Sequence, residues 1–508
     1  MFKHRYPLVE EVQEYSAAPQ LFELIADRPY SFLLDSGMDH QKLGRYSFMG
    51  SDPFLVMSSR GSEITLVRGH EREVQQGNPF DVLGKLLELY RLEHSALPVP
   101  FAGGAVGYFS YELRHFIERL PCTTVDDLGL PDCYFAFYDT ILGLDHLQRK
   151  AYVIATGFPE LQDEQRLKRA TTRIQEMKGR LRPSSSAGQA SGGAESSSIG
   201  AVSVSSGAKL AEGRLPGPGL EPAWPGGGGL RPAQQHGRVV LKSNFTPDGY
   251  IKAVDRVREY IAAGDVFQVN LSQRLEAAVT VPPYELFKRL RKVNPAPFSS
   301  YLSFPEVTVV GASPERFLRV QGDVVETRPV KGTRPRGTDP AEDERLAEEL
   351  THSVKDRAEN VMIVDLERND LGRVCRYGTV RVTELAILEA FPTVFHLTST
   401  IVGRLCQGRS NMDLLKATFP GGSVTGAPKI RAMQIIDELE PTTRSVYTGS
   451  LGYLSFNGDL DISIVIRTLL IKEGRAYFQV GGGIIYDSDA GAEYTETMDK
   501  ARALIEAL

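Results

Sequence analysis

The chain has 508 residues, and 42% of them are hydrophobic, which is enough to bury a large core. Its 58 basic and 64 acidic residues give a formal net charge of -6, so no basic excess indicates a nucleic acid or an anionic membrane as partner. Four widely spaced cysteines, with neither a signal peptide nor a long apolar stretch, predict a soluble cytoplasmic protein with reduced thiols.

Composition divides the chain into two regions and a linker. Residues 1–182 mix short apolar runs, typical of strands, with predicted helices over 19–27 and 79–92. Residues 183–237 consist mainly of Ser, Gly, Ala and Pro. Such a segment cannot bury enough apolar area to offset the entropy of ordering, so we predict a disordered linker. Residues 238–508 form the second region.

The second region alternates helical and strand patterns. A capping signal at Thr246 opens an amphipathic helix that contains Tyr250 and Ile261 and ends near Gly264, where a strand begins. Further helices are predicted over 284–292, 340–350, 353–366, 412–418, 428–439 and 491–507, with strands between them. Because strands and helices do not alternate one by one, we predict an α+β fold with largely antiparallel sheets.

Three glycine-rich stretches lack the spacing of nucleotide-binding loops. The first, residues 103–107, lacks the G-x-G-x-x-G pattern and predicts close packing of backbones. The second, FPGGSVTGAPK at 419–429, is not a Walker loop, but it precedes a helix whose N-terminal N–H groups can hold an anion. In the third, residues 480–485, N–H groups could approach a carboxylate or phosphate. A simple turn is the alternative for the last two.

Residues 311–337 predict a β-hairpin that carries one acid, Glu315, and one lysine, Lys331. A three-residue loop over 321–323 would put both side chains on the same face, whereas a two-residue loop would separate them. We predict the three-residue loop. The alternative is a surface hairpin on which both charges are solvated.

Two predicted helices carry further carboxylates. Glu359 lies on one of them, and Glu493, Glu496 and Lys500 form a stripe on the closing helix. Glu496 and Lys500 could simply be an ion pair at i, i+4 spacing. If Glu359 and Glu496 converge, two carboxylates with waters and a substrate oxygen would suit Mg²⁺, since this ion keeps several ligands that do not come from protein.

Taken together, these segments resemble the chorismate-utilising enzyme family, and the resemblance covers the chain outside 183–237. The motifs that carry it are SPERF (313–317), KGTRPRG (331–337), KDRAEN-MIVDL-RND (355–370), FPGGSVTGAPK (419–429), GYLSFNGDLDISIVIRT (452–468), GGGI (481–484) and ETMDK (496–500). The resemblance implies a two-layered antiparallel β-sandwich flanked by helices, in which residues 1–182 and the chorismate-binding catalytic region 238–508 interweave.

The family's chemistry implies a role for each matching residue. Mg²⁺ would be held by Glu359 and Glu496, Glu315 would protonate the departing C4 hydroxyl of chorismate, and Lys331 would attack C2 as a free amine. The residues that would line the substrate pocket are Gly332, Thr333, His396, Ser423, Tyr447, Arg467, Gly481, Gly483 and Lys500. For His396 the alternative is a structural histidine in the core.

Two positions indicate the branch of the family. Gln268 stands where members that add water to chorismate carry a lysine, so ammonia is the expected nucleophile. Lys331 stands where members that make anthranilate carry a small residue, which favours 4-amino-4-deoxychorismate as product and leaves anthranilate as the alternative. No cysteine lies in a G-x-C-x-G nucleophile elbow, so a separate glutamine amidotransferase subunit is expected to deliver the ammonia.

The first region resembles the part of related synthases that holds tryptophan. Ser36, Arg45 and Tyr46 would line that pocket, which would hold either a structural tryptophan as a further partner or no ligand, as an empty packed pocket. Asp35 departs from the usual glutamate, which disfavours feedback regulation. A catalytically inactive scaffold and a tryptophan-sensing protein are the remaining alternatives, and neither accounts for the complete set of matching acids and lysines.

Overall fold

This computed structural model consists largely of two antiparallel sheets. Their strands are short apolar runs, some of which alternate with polar residues while others are continuous. The structure describes residues 5–12, 15–38, 43–93, 96–181 and 239–508. The predicted linker over 183–237 lies outside the described residues. The described parts on either side of it form one compact unit.

Most helices lie where the sequence periodicity predicted them, but the helix over Asp163–Leu181 was not predicted, and the helix predicted over 19–27 ends at Phe22. Thr246 caps its helix as predicted, since its side chain accepts a hydrogen bond from the Gly249 N–H. The helices are α1 (Ala18–Phe22), α2 (Pro79–Leu89), α3 (Asp163–Leu181), α4 (Pro247–Ala262), α5 (Pro283–Val293), α6 (Pro340–His352), α7 (Val354–Gly372), α8 (Asn411–Thr418), α9 (Lys429–Leu439) and α10 (Ala490–Ala507), with 3₁₀ turns at Tyr111–Phe116 and Gly422–Val424.

The described strands of the first region, β1 to β10, precede those of the second. They are β1 (Leu8–Val12), β2 (Phe32–Asp35), β3 (Tyr46–Gly50), β4 (Leu55–Arg60), β5 (Glu63–Arg68), β6 (Glu71–Gln76), β7 (Gly104–Phe109), β8 (Cys133–Tyr138), β9 (Thr140–Asp145) and β10 (Lys150–Ala155). The later strands are β11 (Lys242–Ser243), β12 (Gln268–Ala278), β13 (Phe298–Ser303), β14 (Thr308–Ser313), β15 (Arg316–Gln321), β16 (Val324–Arg328), β17 (Val330–Pro335), β18 (Arg381–Ala390), β19 (Val394–Arg404), β20 (Gly426–Ala427), β21 (Ser450–Ser455), β22 (Leu460–Ile464), β23 (Thr468–Lys472) and β24 (Arg475–Ile484).

Both regions contribute strands to both sheets. One sheet runs β1-β10-β9-β3-β2-β13-β14-β23-β24-β12-β11, with β20 paired to β12. The other runs β17-β19-β16-β15-β22-β21-β7-β8-β4-β5-β6, with β18 paired to β19. The two regions join at β2–β13 and at β7–β21, so they interweave as expected, and the antiparallel α+β prediction is confirmed.

A buried core with many aromatic side chains draws on both sheets. Phe48 of one sheet packs edge-on against Tyr453 of the other, with ring centroids 5.4 Å apart. Separate apolar clusters lie under the helices that flank each sheet. Two of these helices matter for the site, because α7 packs against β17 and β19 while α10 packs against β24.

The glycines of the first region allow close backbone packing, as predicted. Gly107 lies on β7 between β8 and β21, opposite Phe135 and Gly452. A Cβ atom at Gly107 would overlap the carbonyl of Tyr134. This stretch therefore joins two strands of a sheet and is not a ligand loop.

The predicted three-residue loop of the 311–337 hairpin is wrong. Gln321 pairs with Val324, so only two residues form the turn, and Gly322 has the positive φ of 61° that such a turn requires. A β-bulge between Arg316 and Arg319 then adds one residue to β15 and shifts the register by one. Because a shift of one residue exchanges the faces of a strand, the bulge offsets the effect of the shorter turn.

None of the described helices is both long enough and apolar enough to span a membrane.

Candidate functional site

The acid Glu315 is buried where the chain passes from β14 into β15. Only 4% of its surface is exposed, and the Ser423 hydroxyl donates a hydrogen bond of 2.5 Å to its Oε1 atom. Burial raises the pKa of Glu315 to about 7, although the Ser423 hydroxyl and the Lys331 charge oppose the shift. At neutral pH this carboxyl therefore holds a proton for much of the time, as a general acid must.

Lys331 reaches the same serine from β17. Its Nζ atom donates a hydrogen bond of 2.9 Å to the Ser423 carbonyl oxygen. Burial lowers the pKa of Lys331, and the nearby Glu359 and Glu315 carboxylates oppose this shift. A lowered pKa increases the fraction of free amine, which is the nucleophilic form of lysine. Glu315 and Lys331 therefore contact the same residue, Ser423, the first through its hydroxyl and the second through its backbone carbonyl.

A buried ion pair that was not predicted from the sequence supports residues 419–428, which carry Ser423 and are called the serine loop below. The Arg444 guanidinium binds the Glu440 carboxylate at 2.7 Å, and both side chains are 1% exposed. Arg444 also donates hydrogen bonds to the carbonyls of Val424 at 3.0 Å and Asn270 at 2.5 Å. The signal that could have found it is the i, i+4 spacing of an acid and an arginine just before the predicted Tyr447.

The two predicted metal ligands act on each other electrostatically from α7 and α10. Burial raises the pKa of Glu359, and the charges of Asp356 and Glu496 add to the effect. Burial also acts to raise the pKa of Glu496, but three ammonium groups, Lys500 foremost, outweigh it and lower this pKa. Lys500 lies 2.7 Å from Glu496 and donates a second hydrogen bond of 2.8 Å to the Gly481 carbonyl.

No group of three or more His, Cys, Asp or Glu residues forms a ready metal cage in the part of the chain that the structure describes. A pair of carboxylates is nevertheless the donor set that suits Mg²⁺, which is bound in proteins by one or two carboxylates with waters and substrate oxygens. The charge of Glu496 raises the pKa of Glu359, and a cation between the two carboxylates would relieve this repulsion. Glu359 and Glu496 therefore fit the predicted ion.

A neutral histidine and an arginine lie near the lysine. The His396 Nδ1 atom is 2.9 Å from the Thr333 hydroxyl. Burial and the charge of Arg467 lower the pKa of His396 to about 3, so its ring is uncharged at neutral pH. Within the described residues, no hydrogen bond or ion pair engages the Arg467 side chain, and burial lowers its pKa. A half-buried guanidinium without a partner among the described residues is suited to a carboxylate ligand.

The glycines of β24 border the site on its other side. Gly482 faces α10, and a Cβ atom there would lie 3.1 Å from Glu493 and 3.7 Å from Lys500. Gly483 faces Gln268, whose buried amide has no hydrogen-bond partner among the described residues. An unpaired buried amide is costly in isolation, so a ligand or water at this position would satisfy it.

Tyr447 and Ser423, predicted for the substrate pocket, are both buried. Burial raises the pKa of Tyr447 to about 12, so the phenol is neutral and can donate a hydrogen bond. The Arg444 guanidinium lies 5.7 Å from the centre of the Tyr447 ring. Gly332, at the start of the KGTRPRG motif, contributes a backbone hydrogen bond to His396.

The predicted effector residues have their own partners. The Ser36 hydroxyl donates to two backbone carbonyls, each at 3.3 Å. Arg45 forms an ion pair of 2.6 Å with Asp145, and its guanidinium lies over the Tyr46 ring. Both oxygens of Asp35 accept hydrogen bonds, at 2.8 and 2.5 Å. Tryptophan binding at this position stays a prediction.

Comparisons with known proteins find relatives over almost the whole chain. The family described as chorismate binding enzyme matches residues 230–506. Aminodeoxychorismate synthase component 1 of Bacillus subtilis is 37% identical over 98% of this chain and 95% of its own length. Anthranilate synthase component 1 of Thermus thermophilus is 39% identical over 96% of this chain and 94% of its own length.

A solved structure extends the likeness to the fold. Anthranilate synthase component I from Streptococcus pneumoniae superimposes with a TM-score of 0.73 at 31% identity, and the match covers 92% of this chain and 94% of that one. The sequence match and the shared fold agree. The chain belongs to the chorismate-binding enzyme family, and it is an enzyme of the aminodeoxychorismate and anthranilate synthase component I type.

Proposed function

We propose that the chain converts chorismate and ammonia into 4-amino-4-deoxychorismate, as component I of an aminodeoxychorismate synthase in the route to para-aminobenzoate and folate. The observation that carries the proposal is the contact of Glu315 and Lys331 with one residue, Ser423. This arrangement brings a buried acid with a pKa of about 7 and an amine of lowered pKa to the same serine.

The pair supports a two-step substitution. The Lys331 amine attacks C2 while the C4–O bond breaks, and Glu315 gives its proton to the departing hydroxyl, which leaves as water. Ammonia then attacks C4, the bond between C2 and lysine breaks, and the lysine is free again. Direct attack of ammonia on C2, the route to anthranilate, needs no protein nucleophile. A required lysine therefore distinguishes the proposed scheme from that route.

The dianionic substrate would be held by cationic and polar groups around the pair. Arg467 and Lys500 would contact its carboxylates, and the neutral Tyr447 and His396 would donate or accept hydrogen bonds. Glu359 and Glu496 would hold a Mg²⁺ ion, which supplies positive charge next to a substrate carboxylate when bound. Since Gln268 cannot act as a general base in the way that lysine can, it supports ammonia over water as the nucleophile.

Ammonia would come from a separate glutamine amidotransferase subunit. The sequence contains no G-x-C-x-G elbow for a glutaminase cysteine. Relatives of the chain are named component 1 of their synthases, which supports a second component here as well.

A second candidate product is anthranilate. It is favoured by relatives named anthranilate synthase component 1, which are 36% to 39% identical to the chain. The test is to incubate the purified chain with chorismate, an ammonium salt and Mg²⁺ and to identify the product by liquid chromatography and mass spectrometry. We expect 4-amino-4-deoxychorismate. Anthranilate would select the second candidate, and isochorismate or salicylate would overturn both.

Removal of one metal ligand tests the proposed ion site. In the variant Glu359→Gln, we expect the Mg²⁺ concentration for half-maximal activity to rise by at least about tenfold, because one of two carboxylates is lost. Calorimetric titration of Mg²⁺ in the absence of substrate should show the same weakening. Glu344→Gln, which alters an exposed carboxylate on α6, is the matched control. Unchanged Mg²⁺ affinity in the Glu359 variant would exclude this residue as a ligand.

A further inference from the structure

The buried ion pair between Glu440 and Arg444 has no role in the scheme above. Both side chains are 1% exposed, and their charged groups lie 2.7 Å apart. Removing two charges from water is costly, and a pair buried so deeply often adds less stability than apolar side chains of similar volume would. Stability alone therefore does not account for the pair, and its further contacts show which parts of the site it connects.

On one side the pair holds the serine loop. The end of this loop is attached to β12 by main-chain hydrogen bonds, which include one of 2.8 Å from the Asn270 N–H to the Thr425 carbonyl. The next carbonyl toward Ser423 is that of Val424, and it accepts a hydrogen bond of 3.0 Å from the Arg444 guanidinium. Arg444 thus extends the attachment of the loop to the residue beside Ser423.

On its other side the pair holds β12, whose neighbour β24 carries the glycines of the site. Glu440 accepts hydrogen bonds from the Ser272 N–H at 2.9 Å and from the Ser272 hydroxyl at 2.8 Å. Arg444 donates a hydrogen bond of 2.5 Å to the Asn270 carbonyl. Ser272 lies opposite Gly481 on β24. One ion pair therefore connects the loop that contacts the acid and the lysine with the strands that border the site on its other side.

Resting on the proposed function, we propose that Arg444 is a positioning residue that acts through Ser423. Together with Glu440 it fixes the serine loop relative to β12. The Ser423 hydroxyl contacts Glu315 at 2.5 Å and the Ser423 carbonyl contacts Lys331 at 2.9 Å, so a displaced loop would displace both groups. Catalysis depends steeply on such distances, since a misplacement of about 1 Å can lower a rate by about 10²-fold.

An arginine is suited to this role because its planar guanidinium carries five donors in a fixed arrangement. Arg444 uses them on both carboxylate oxygens of Glu440, on the two backbone carbonyls and on the Thr448 hydroxyl at 3.3 Å. A lysine would keep the positive charge, but its single ammonium cannot reach acceptors on three separate parts of the chain. Arg444→Lys should therefore keep the charge and lose the positioning.

Arg114 offers a matched control, because it is a second buried arginine in the same region. Both arginines lie over the Tyr111 ring, with Arg114 at 4.3 Å and Arg444 at 4.9 Å from its centre. Arg114 is 2% exposed and forms ion pairs with Asp437 at 3.2 Å and Glu112 at 3.3 Å. Within the described residues, none of its hydrogen bonds or ion pairs reaches the serine loop.

The test compares Arg444→Lys with Arg114→Lys in the full chain, by steady-state amination of chorismate at a fixed concentration of free ammonia and by thermal unfolding. We expect kcat of the Arg444 variant to fall by about 10²-fold, while KM for chorismate stays within about threefold because the cations proposed to hold its carboxylates are unchanged. Arg114→Lys should be destabilised to a similar extent but should keep kcat within about threefold. Equal losses of kcat in the two variants would overturn the role of Arg444.

Combination with Ser423→Ala separates positioning from a general loss of structure. If Arg444 acts through Ser423, the two losses of kcat should not multiply, and Arg444→Lys should cost at least about fivefold less in the Ser423→Ala background. The losses from Arg114→Lys and Ser423→Ala should multiply, as they do for independent sites. Losses from Arg444→Lys and Ser423→Ala that multiply fully would overturn the inference.

Glu440→Gln decides the question if Arg444→Lys does not fold. Glutamine keeps the length of the side chain and one oxygen for Arg444, but a neutral acceptor binds a guanidinium less strongly than a carboxylate does. We expect kcat to fall by about tenfold, again without multiplying with the loss from Ser423→Ala. A folded Glu440 variant with kcat within about twofold of the parent would overturn the role of the pair.

Identification of the product keeps this inference separate from the proposed function. The product is determined in every assay, so a product other than 4-amino-4-deoxychorismate would count against the proposed function. The role of Arg444 is judged from ratios of rates between variants, which do not depend on which product forms.

Discussion

Replacement of Lys331 by methionine is expected to lower kcat/KM for amination of chorismate by at least about 10³-fold. Methionine fills a similar volume but has no amine, so the pocket should keep its packing while the nucleophile is lost. The hydrogen bond of 2.9 Å from Lys331 to the Ser423 carbonyl is also lost. This contact is a small contribution in comparison, because a single hydrogen bond stabilises by only about 1 kcal/mol.

A covalent intermediate gives the Lys331 prediction a second measurement. When the parent chain is mixed with chorismate in the absence of ammonia and then denatured by acid, its intact mass should increase by that of the substrate less one water. The Lys331→Met variant should show no increase. Lys292→Met, which alters an exposed lysine on α5, is the matched control and should behave like the parent. A Lys331 variant that keeps a tenth of the parent rate with the same product would contradict a nucleophilic lysine.

The sequence predicted most of the helices because their signals are local, although it missed α3. The cap at Thr246 and the apolar spacing from Tyr250 to Ile261 lie within one element, and α4 runs from Pro247 to Ala262 as these signals indicate. The antiparallel class was also predictable, since short strands without alternating helices cannot form parallel crossover units.

The partners of the strands were not predictable from local signals. β7 of the first region pairs with β21, more than three hundred residues later in the chain. Nothing in the alternation of residues 104–109 specifies that partner, because cross-strand contacts depend on tertiary packing. The resemblance to a known family, and not periodicity, led us to expect that the two regions interweave.

Glu315 and Lys331 lie close together as predicted, although the predicted turn of their hairpin is wrong. The turn residues Gln321 to Asp323 allow either a two-residue or a three-residue loop, and the structure has the shorter one. The bulge between Arg316 and Arg319 carries no sequence signal, since it contains neither glycine nor proline. Glu315 and Lys331 share a pocket because of this bulge and because β17 pairs with β19, neither of which was predicted.

The buried charges around the site were the least predictable part. Glu367 is one of several acids on its helix, so the sequence does not distinguish it from the exposed ones. Only the packing of α7 shows that it is buried. The same holds for Arg444. Its sequence surroundings predict a solvated charge, but β12 and the serine loop bury it in the structure. Burial of a charge depends on neighbours far away in sequence, so local patterns of polarity do not reveal it.

Replacement of Glu315 by glutamine is expected to lower kcat/KM by about 10²- to 10⁴-fold, since this is the usual contribution of a positioned general acid. Glutamine keeps the shape of the side chain and can still pair with the Ser423 hydroxyl, but it has no proton to give to the C4 hydroxyl. The sign of the pH effect follows from the raised pKa of Glu315, about 7. The acid is active when protonated, so its contribution to the parent rate is largest on the acidic side of this pKa and is lost as the pH rises through it.

The residual activity of Glu315→Gln should therefore lack the decline above neutral pH that the parent shows. The measurement is kcat/KM for chorismate from pH 6 to 9 at a fixed concentration of free ammonia, with the product identified at each pH. Glu306→Gln, at a carboxyl that hydrogen-bonds to Tyr134 far along the chain, serves as the control and should keep the parent profile. A variant that loses activity but keeps the decline would assign that titration to another group and remove Glu315 as the acid.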